Sequence, residues 1–361
     1  MKITIIAGAR PNFMKIAPLM RAIQAAKTAG KSISARLVYT GSDEDKSLEP
    51  SLFTDLDMPR PDVYLHVDST DFFQRMAGIT VAFARELEKH PAQVVVVVDD
   101  LTPTMACSIV AKKKGLKVAH LVAGIRSFDM EMPKEVNRMI TDGLSDYLFT
   151  AGMVANRNLN QTGTEQTHVH FVGNILIDTL RYNRARLQRP VVFGIMGLKE
   201  KEYILLTINR HALIESDQKL KELFETILAK TDKTIIAPLH NYVKNKLSSL
   251  GIASERLHIL PPQPYLAFGY LINNANAIIT DSGNVAEEAT FLNIPCITLS
   301  NYAEHPETVT IGTNCLVGEN AKELATALET LSKGEWKEGH LPERWDGRAA
   351  ERIVQTLLEE I

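Results

Sequence analysis

The apolar run VVVVV at 94–98 is the feature that most constrains this chain. A strand that is hydrophobic at every position, rather than at alternate ones, has to be covered on both faces, which points to a parallel sheet between two layers of helix. The pattern recurs. KITIIAG, SARLVYTG, QVVVVVDD, KVAHLVAG and DYLFTAG are strand candidates in the first half, and YILLTIN, KTIIAPLH, RLHILPP, AIITDSG and CITLSN repeat the plan in the second. Helical patterns separate them, as at 72–89, where Phe72, Met76, Ile79, Phe83 and Leu87 recur at helix spacing. Others lie near 216–231, 264–275 and 284–292, while RPVVFGIMGL reads as a connector. The expected fold is α/β, with two Rossmann-like doubly wound domains facing a cleft. We place the domains at 1–175 and 176–345, with a terminal helix at 346–361 packing back on the first.

A length of 361 residues suits two cores better than one. A net charge of −3 argues against a nucleic-acid-binding surface. Cys107, Cys296 and Cys315 are scattered, without metal-ligand spacing, and fit a reducing compartment. The valine run is too short to span a bilayer, and the N-terminus lacks a cleavable-signal pattern. The expectation is a cytoplasmic protein with no metal, no nucleic-acid partner and no membrane insertion.

Chemistry concentrates at two strand-to-helix turns. GARPNFMKIAPL places Arg10 and Lys15 at a helix entrance, where free N–H groups already favour an anion. This is not the glycine-rich dinucleotide fingerprint, so a nicotinamide cofactor is not expected. In ITDSGNVAEEATF, Ser282 and Gly283 open a helix, and Glu288 lies six residues beyond Ser282. Ser282 either caps that helix or joins the adjoining N–H groups in holding a phosphate. Glu288 suits a ribose diol. The bland alternatives are a surface ion pair and an ordinary helix cap.

With these residues, the blocks HLVAGIRSFDMEMPKEVNRMITD, VGNILIDTL and HPETVTIGTNCLVG resemble the non-hydrolysing UDP-N-acetylglucosamine 2-epimerases, in register from residue 2 to about 320. The resemblance implies a glycosyltransferase-B-like arrangement, a UDP-sugar ligand held mainly by the second domain, a homodimer, and a place in cell-surface polysaccharide biosynthesis. It also implies inversion at C2 of the sugar by elimination and re-addition of UDP, with no cofactor. Arg10 and Lys15 would then serve the sugar diphosphate, Ser282 and Gly283 a phosphate, and Glu288 the ribose.

The acid/base positions depart from the family pattern. Asp100 is present, behind Asp99 where glycine is usual. Val122 replaces the carboxylate of H-x-E-A-G, Lys134 the glutamate after M-P, and Asn209 the histidine of T-x-H-R, which Arg210 completes. Asn209 orients hydroxyls but shuttles no proton near neutral pH. Val136, Met139, Ile140 and Leu144 form one apolar helix face, which puts Lys134 on roughly the opposite side, either as a solvated surface lysine or pointing into the cleft to pair with phosphates or a carboxylated sugar. Glu135 and His211 are the candidate substitutes, with Asp129 and Glu131 nearby; His240 and Glu307 suit nucleotide binding or support. Thr40-Gly41-Ser42-Asp43 replaces the T-G-Q-H segment that relatives use for an allosteric nucleotide sugar, and Asp281-Ser282-Gly283-Asn284 replaces D-S-G-G. The reading is a UDP-N-acetylhexosamine-handling member of the family with altered activity. Its rivals are a catalytically silent UDP-sugar binder and a glycosyltransferase of the same architecture.

Overall fold

A computed structural model describes residues 1–360. The chain divides into two compact units, residues 1–182 with 343–361, and residues 183–342. In the first unit seven parallel strands run β1 (Lys2–Ala7), β2 (Ser34–Tyr39), β3 (Val63–Tyr64), β4 (Val94–Val98), β5 (Lys117–Leu121), β6 (Tyr147–Thr150) and β7 (Val169–Phe171), in spatial order β3-β2-β1-β4-β5-β6-β7. All five residues of β4 are buried. Val95 and Val97 pack with Ile79, Phe83, Cys107 and Val110 from two helices on one face, so the valine run is central and doubly covered.

The second unit holds β8 (Tyr203–Thr207), β9 (Thr234–Pro238), β10 (Leu257–Leu260), β11 (Ala277–Thr280), β12 (Cys296–Thr298) and β13 (Asn314–Leu316), ordered β10-β9-β8-β11-β12-β13. Successive residues of β8 face opposite layers. Ile204 and Leu206 join Leu220, Phe224 and Val243, while Tyr203 and Leu205 join Phe193, Leu271 and Ala289. Each sheet therefore has the doubly wound order, in which the chain reverses direction across the sheet beside its first strand. No helix among the described residues is long and apolar enough to cross a membrane.

Three short strands, β3, β7 and β13, escape the apolar-run reading because they are two or three residues long at or next to a sheet edge. The stretch taken as a connector contains a short helix, Val191–Ile195, whose Phe193 is buried against Tyr203.

The terminal helix Ala349–Glu360 belongs to the first unit. Trp345 is buried and its indole N–H donates to the Ala151 carbonyl at 3.0 Å. The first helical N–H groups, of Ala349 and Ala350, donate to the two oxygens of Asp178 at 3.1 and 2.8 Å. Burial outweighs these bonds and pushes the Asp178 carboxyl up to about 6. Between its unfolded value and that level, the folded protein keeps a proton that the unfolded chain has lost. Stability from this group is therefore greatest in acid and falls as pH rises through the window, by about 3 kcal/mol in all. The Asp178→Asn variant is expected to lose that slope, read as the difference in urea midpoint between pH 4 and 7 for the two proteins. An unchanged slope would assign it to other groups.

Candidate functional site

In doubly wound sheets ligands meet the carboxyl ends of the strands beside the reversal. In the first unit that point lies between β1 and β4. The turn after β1 is tight: a Cβ on Gly8 would stand 2.6 Å from the Pro103 ring. Asn12 accepts from the Gly8 and Ala9 N–H groups at 2.8 and 3.2 Å and shapes the entrance to helix Arg10–Thr28. Its amide donates to Asp99 at 2.8 Å. Lys15 approaches the other Asp99 oxygen at 2.5 Å, and both side chains are largely covered, at 6% and 16% exposure. Arg10 forms a two-pronged pair with Glu49, with Nε 2.6 Å from Oε2. A hollow of about 530 Å³ opens here, bounded among others by Ala9, Gly41, Ser42, Asp45 and Thr102.

Asp100 turns the other way. Its carboxylate meets Arg138 at 2.7 Å and Lys134 at 3.2 Å. Burial raises its proton affinity, but the two cations outweigh burial and hold the carboxyl below the ordinary range. Glu135 is buried and accepts from the Ser127 N–H and hydroxyl at 2.9 Å each and from Arg138 at 3.0 Å. Burial again pushes up, and these donors win, so it too is held low. Glu135 thus fastens the 125–132 loop to the helix Pro133–Leu144, and the exposed Asp129 and Glu131 lie in that loop.

That helix is inside out relative to its apolar periodicity. Glu135, Asn137, Arg138, Thr141 and Asp142 are buried, while Val136, Met139 and Ile140 stand 38%, 43% and 36% exposed. The inward face is needed for ions: Asp142 receives Arg126 at 2.6 Å and His120 at 2.7 Å. Lys134 remains on the solvent side, half exposed, with its ammonium returned to Asp100.

Val98 pairs with Leu121 across β4 and β5, and the two residues that follow, Asp99 and Val122, both carry positive φ, 59° and 67°. Aspartate tolerates this region; a β-branched valine there is a real outlier. Such strain, about 1–3 kcal/mol, is typical of positions built for a site.

The second unit repeats the geometry between β8 and β11. The Thr207 and Thr280 hydroxyls meet at 2.7 Å, and the N–H groups of Asn209 and Arg210 both donate to one Asp281 oxygen at 2.7 Å. Burial pushes the Asp281 carboxyl up despite those bonds. Ser282 precedes helix Gly283–Phe291 without a capping bond from its hydroxyl, so its role is not the ordinary cap. Glu304 lies against Gly283, where a Cβ would be 2.8 Å from Oε2. Glu288 is buried, and the adjacent Glu287 is 3.7 Å from His305. Glu307 is also buried, at the start of a short helix.

At the ends of β8 and β9 three rings stack. Tyr242 lies between His211 (5.5 Å, 5°) and His240 (5.9 Å, 18°), and its hydroxyl reaches toward the Asn209 carbonyl at 3.4 Å. The first unit therefore gathers Arg10, Lys15, Asp100, Lys134 and Glu135 at one sheet end, and the second gathers Asn209, Arg210, His211, His240, Ser282, Gly283 and Glu288. Sequence reasoning missed Glu49, Asn12, Arg138, Tyr242 and Glu304; Asn12 and Arg138 lay inside quoted motifs, and the other three left no signal.

Two doubly wound units, each with a strand-to-helix turn at its reversal, define an α/β protein of the glycosyltransferase-B-like class. The family model "UDP-N-acetylglucosamine 2-epimerase" matches residues 25–358, and the chain belongs to that family. It is 34% identical to the UDP-N-acetylglucosamine 2-epimerase of Methanocaldococcus jannaschii, with 99% of each chain covered. It is 31% identical to the UDP-2,3-diacetamido-2,3-dideoxy-D-glucuronate 2-epimerase of Pseudomonas aeruginosa, again over 99% of each. The M. jannaschii enzyme in complex with UDP-GlcNAc and UDP superposes with a TM-score of 0.87 at 33% identity, covering 99% of this chain and 100% of that one. The Neisseria meningitidis epimerase bound to UDP-GlcNAc gives 0.90 at 25% identity, with both chains fully covered.

Proposed function

We propose that this protein binds a UDP-N-acetylhexosamine and interconverts its C2 epimers slowly, by elimination and re-addition of UDP. The observation that carries the reading is the family match over residues 25–358 on a fold that keeps a strand-to-helix turn at each sheet reversal. In the forward half-reaction a base takes the C2 proton, the C1–O bond breaks, and its electrons leave with UDP, giving an unsaturated sugar. In the return, a proton reaches C2 from the opposite face and the phosphate oxygen re-forms the bond at C1.

Slowness follows from the charges. Asp100, the remaining family acid, is held ionised by Lys134 and Arg138, which makes it a weak base. Glu135 is tied to Ser127 and Arg138, and its part here is to hold the loop and Arg138. In this proposal Arg10, Lys15, Ser282 and Gly283 serve the diphosphate, Glu288 the ribose, and Asn209 and Arg210 orient the sugar phosphate. His211 and His240 supply imidazoles on either side of Tyr242, the ring whose hydroxyl reaches toward the Asn209 carbonyl. The homodimer is part of the same reading: the outward Val136, Met139 and Ile140 face is a surface that a second copy would cover.

The same weak base favours a second reading, a binder that performs no chemistry. Incubation with UDP-N-acetylglucosamine in heavy water separates the two. Deuterium at C2 together with the manno epimer is the expected result. Nucleotide affinity without exchange supports the silent binder, and absence of affinity for any uridine nucleotide in a folded sample ends both.

A further inference from the structure

The Lys15–Asp99 pair is the unusual element of the first-unit site. A residue at φ 59° is most cheaply a glycine, so the backbone supplies no reason for an acid at position 99. The side chain does. One oxygen takes the Asn12 amide at 2.8 Å, and the other takes the Lys15 ammonium at 2.5 Å. The turn itself is held from the next strand, since Asp99 N–H donates to the Leu121 carbonyl at 3.2 Å and His120 Nε2 lies 2.8 Å from the Asp99 carbonyl oxygen. The carboxylate is therefore fixed in place.

The neighbouring Arg10–Glu49 pair is 29% and 24% exposed, and water and salt weaken it readily. Lys15 and Asp99 are covered, so their mutual field is little screened, and to an approaching anion the lysine is largely cancelled. We infer that Asp99 is an affinity-setting residue: it keeps Lys15 in an ion pair, so a diphosphate gains that lysine only by displacing a carboxylate. The inference rests on the reading above, in which Lys15 belongs to a sugar-diphosphate site.

Calorimetry with UDP on the full chain tests it. Asp99→Asn and Asp99→Gly are each expected to bind UDP roughly ten- to a hundredfold more tightly than the wild type, for one competing charge removed at close range. In a Lys15→Met background the Asp99→Asn change should bring no gain, because no cation remains to be released. Both substitutions leave Lys15 without its carboxylate, so the rise in unfolding midpoint produced by saturating UDP is followed as well; it should be larger in the variants. A wild-type Kd in both variants, or a gain that persists without Lys15, overturns the inference while leaving the binding site standing. No UDP affinity in the wild type or any variant overturns the site and the inference together.

Discussion

Replacing Arg138 by methionine is expected to destabilise the first unit by about 3–5 kcal/mol at pH 7, the range for breaking a buried ion pair from one side. The guanidinium is 2% exposed and bridges Asp100 and Glu135 at 2.7 and 3.0 Å. Methionine fills much of the aliphatic stem, so the loss isolates the charge. Two carboxylates would be left with the half-exposed Lys134 and the Ser127 donors. The pH dependence fixes the cause. Both acids are held below their ordinary range, so their contribution is present above about pH 4 and is lost as pH falls through their folded values. In the variant that contribution is already missing. The gap in urea stability between the two proteins should therefore hold from pH 7 down to about pH 4 and narrow below that, as the wild-type acids take up protons. A loss below about 1 kcal/mol, or a gap indifferent to pH, would mean that the bridge contributes little.

The second large effect concerns turnover. The triple variant Val122→Glu, Lys134→Glu, Asn209→His is expected to raise the rate of C2 exchange on UDP-N-acetylglucosamine by about 10²-fold or more. One positioned acid or base contributes ~10²–10⁴, and groups acting as a unit do not multiply. Two local facts favour the change. Glutamate suits the positive φ of position 122 better than a β-branched residue does. Removing Lys134 also frees Asp100 from one of its two cations. Exchange measured by NMR in heavy water that stays at the wild-type rate, with UDP affinity intact, would show that the altered positions are not what limits the chemistry.

The central strands were legible because burial on both faces leaves a continuous apolar run, as in Val94–Val98. Edge elements such as Val169–Phe171 leave no such run, since they are half-covered and short. The motif positions were legible too, because doubly wound folds bring strand ends to one place whatever lies between. What could not be read is who neutralises whom. Glu49 and Asp99 reach their partners from loops, and nothing in their local sequence announces it. Helix Pro133–Leu144 shows the limit of periodicity: its apolar stripe lies outward because the opposite face is committed to Asp100, His120 and Arg126.

The terminal helix, anchored on Asp178 and Trp345, carries an implication for biogenesis. On the ribosome, residues 183–342 are complete before the segment that finishes the earlier unit has been translated. The half begun first must wait, with Asp178 holding no helix and Ala151 no indole, until the later half is already made. Premature stops shortly after residue 342 should therefore spare the second unit and cripple the first.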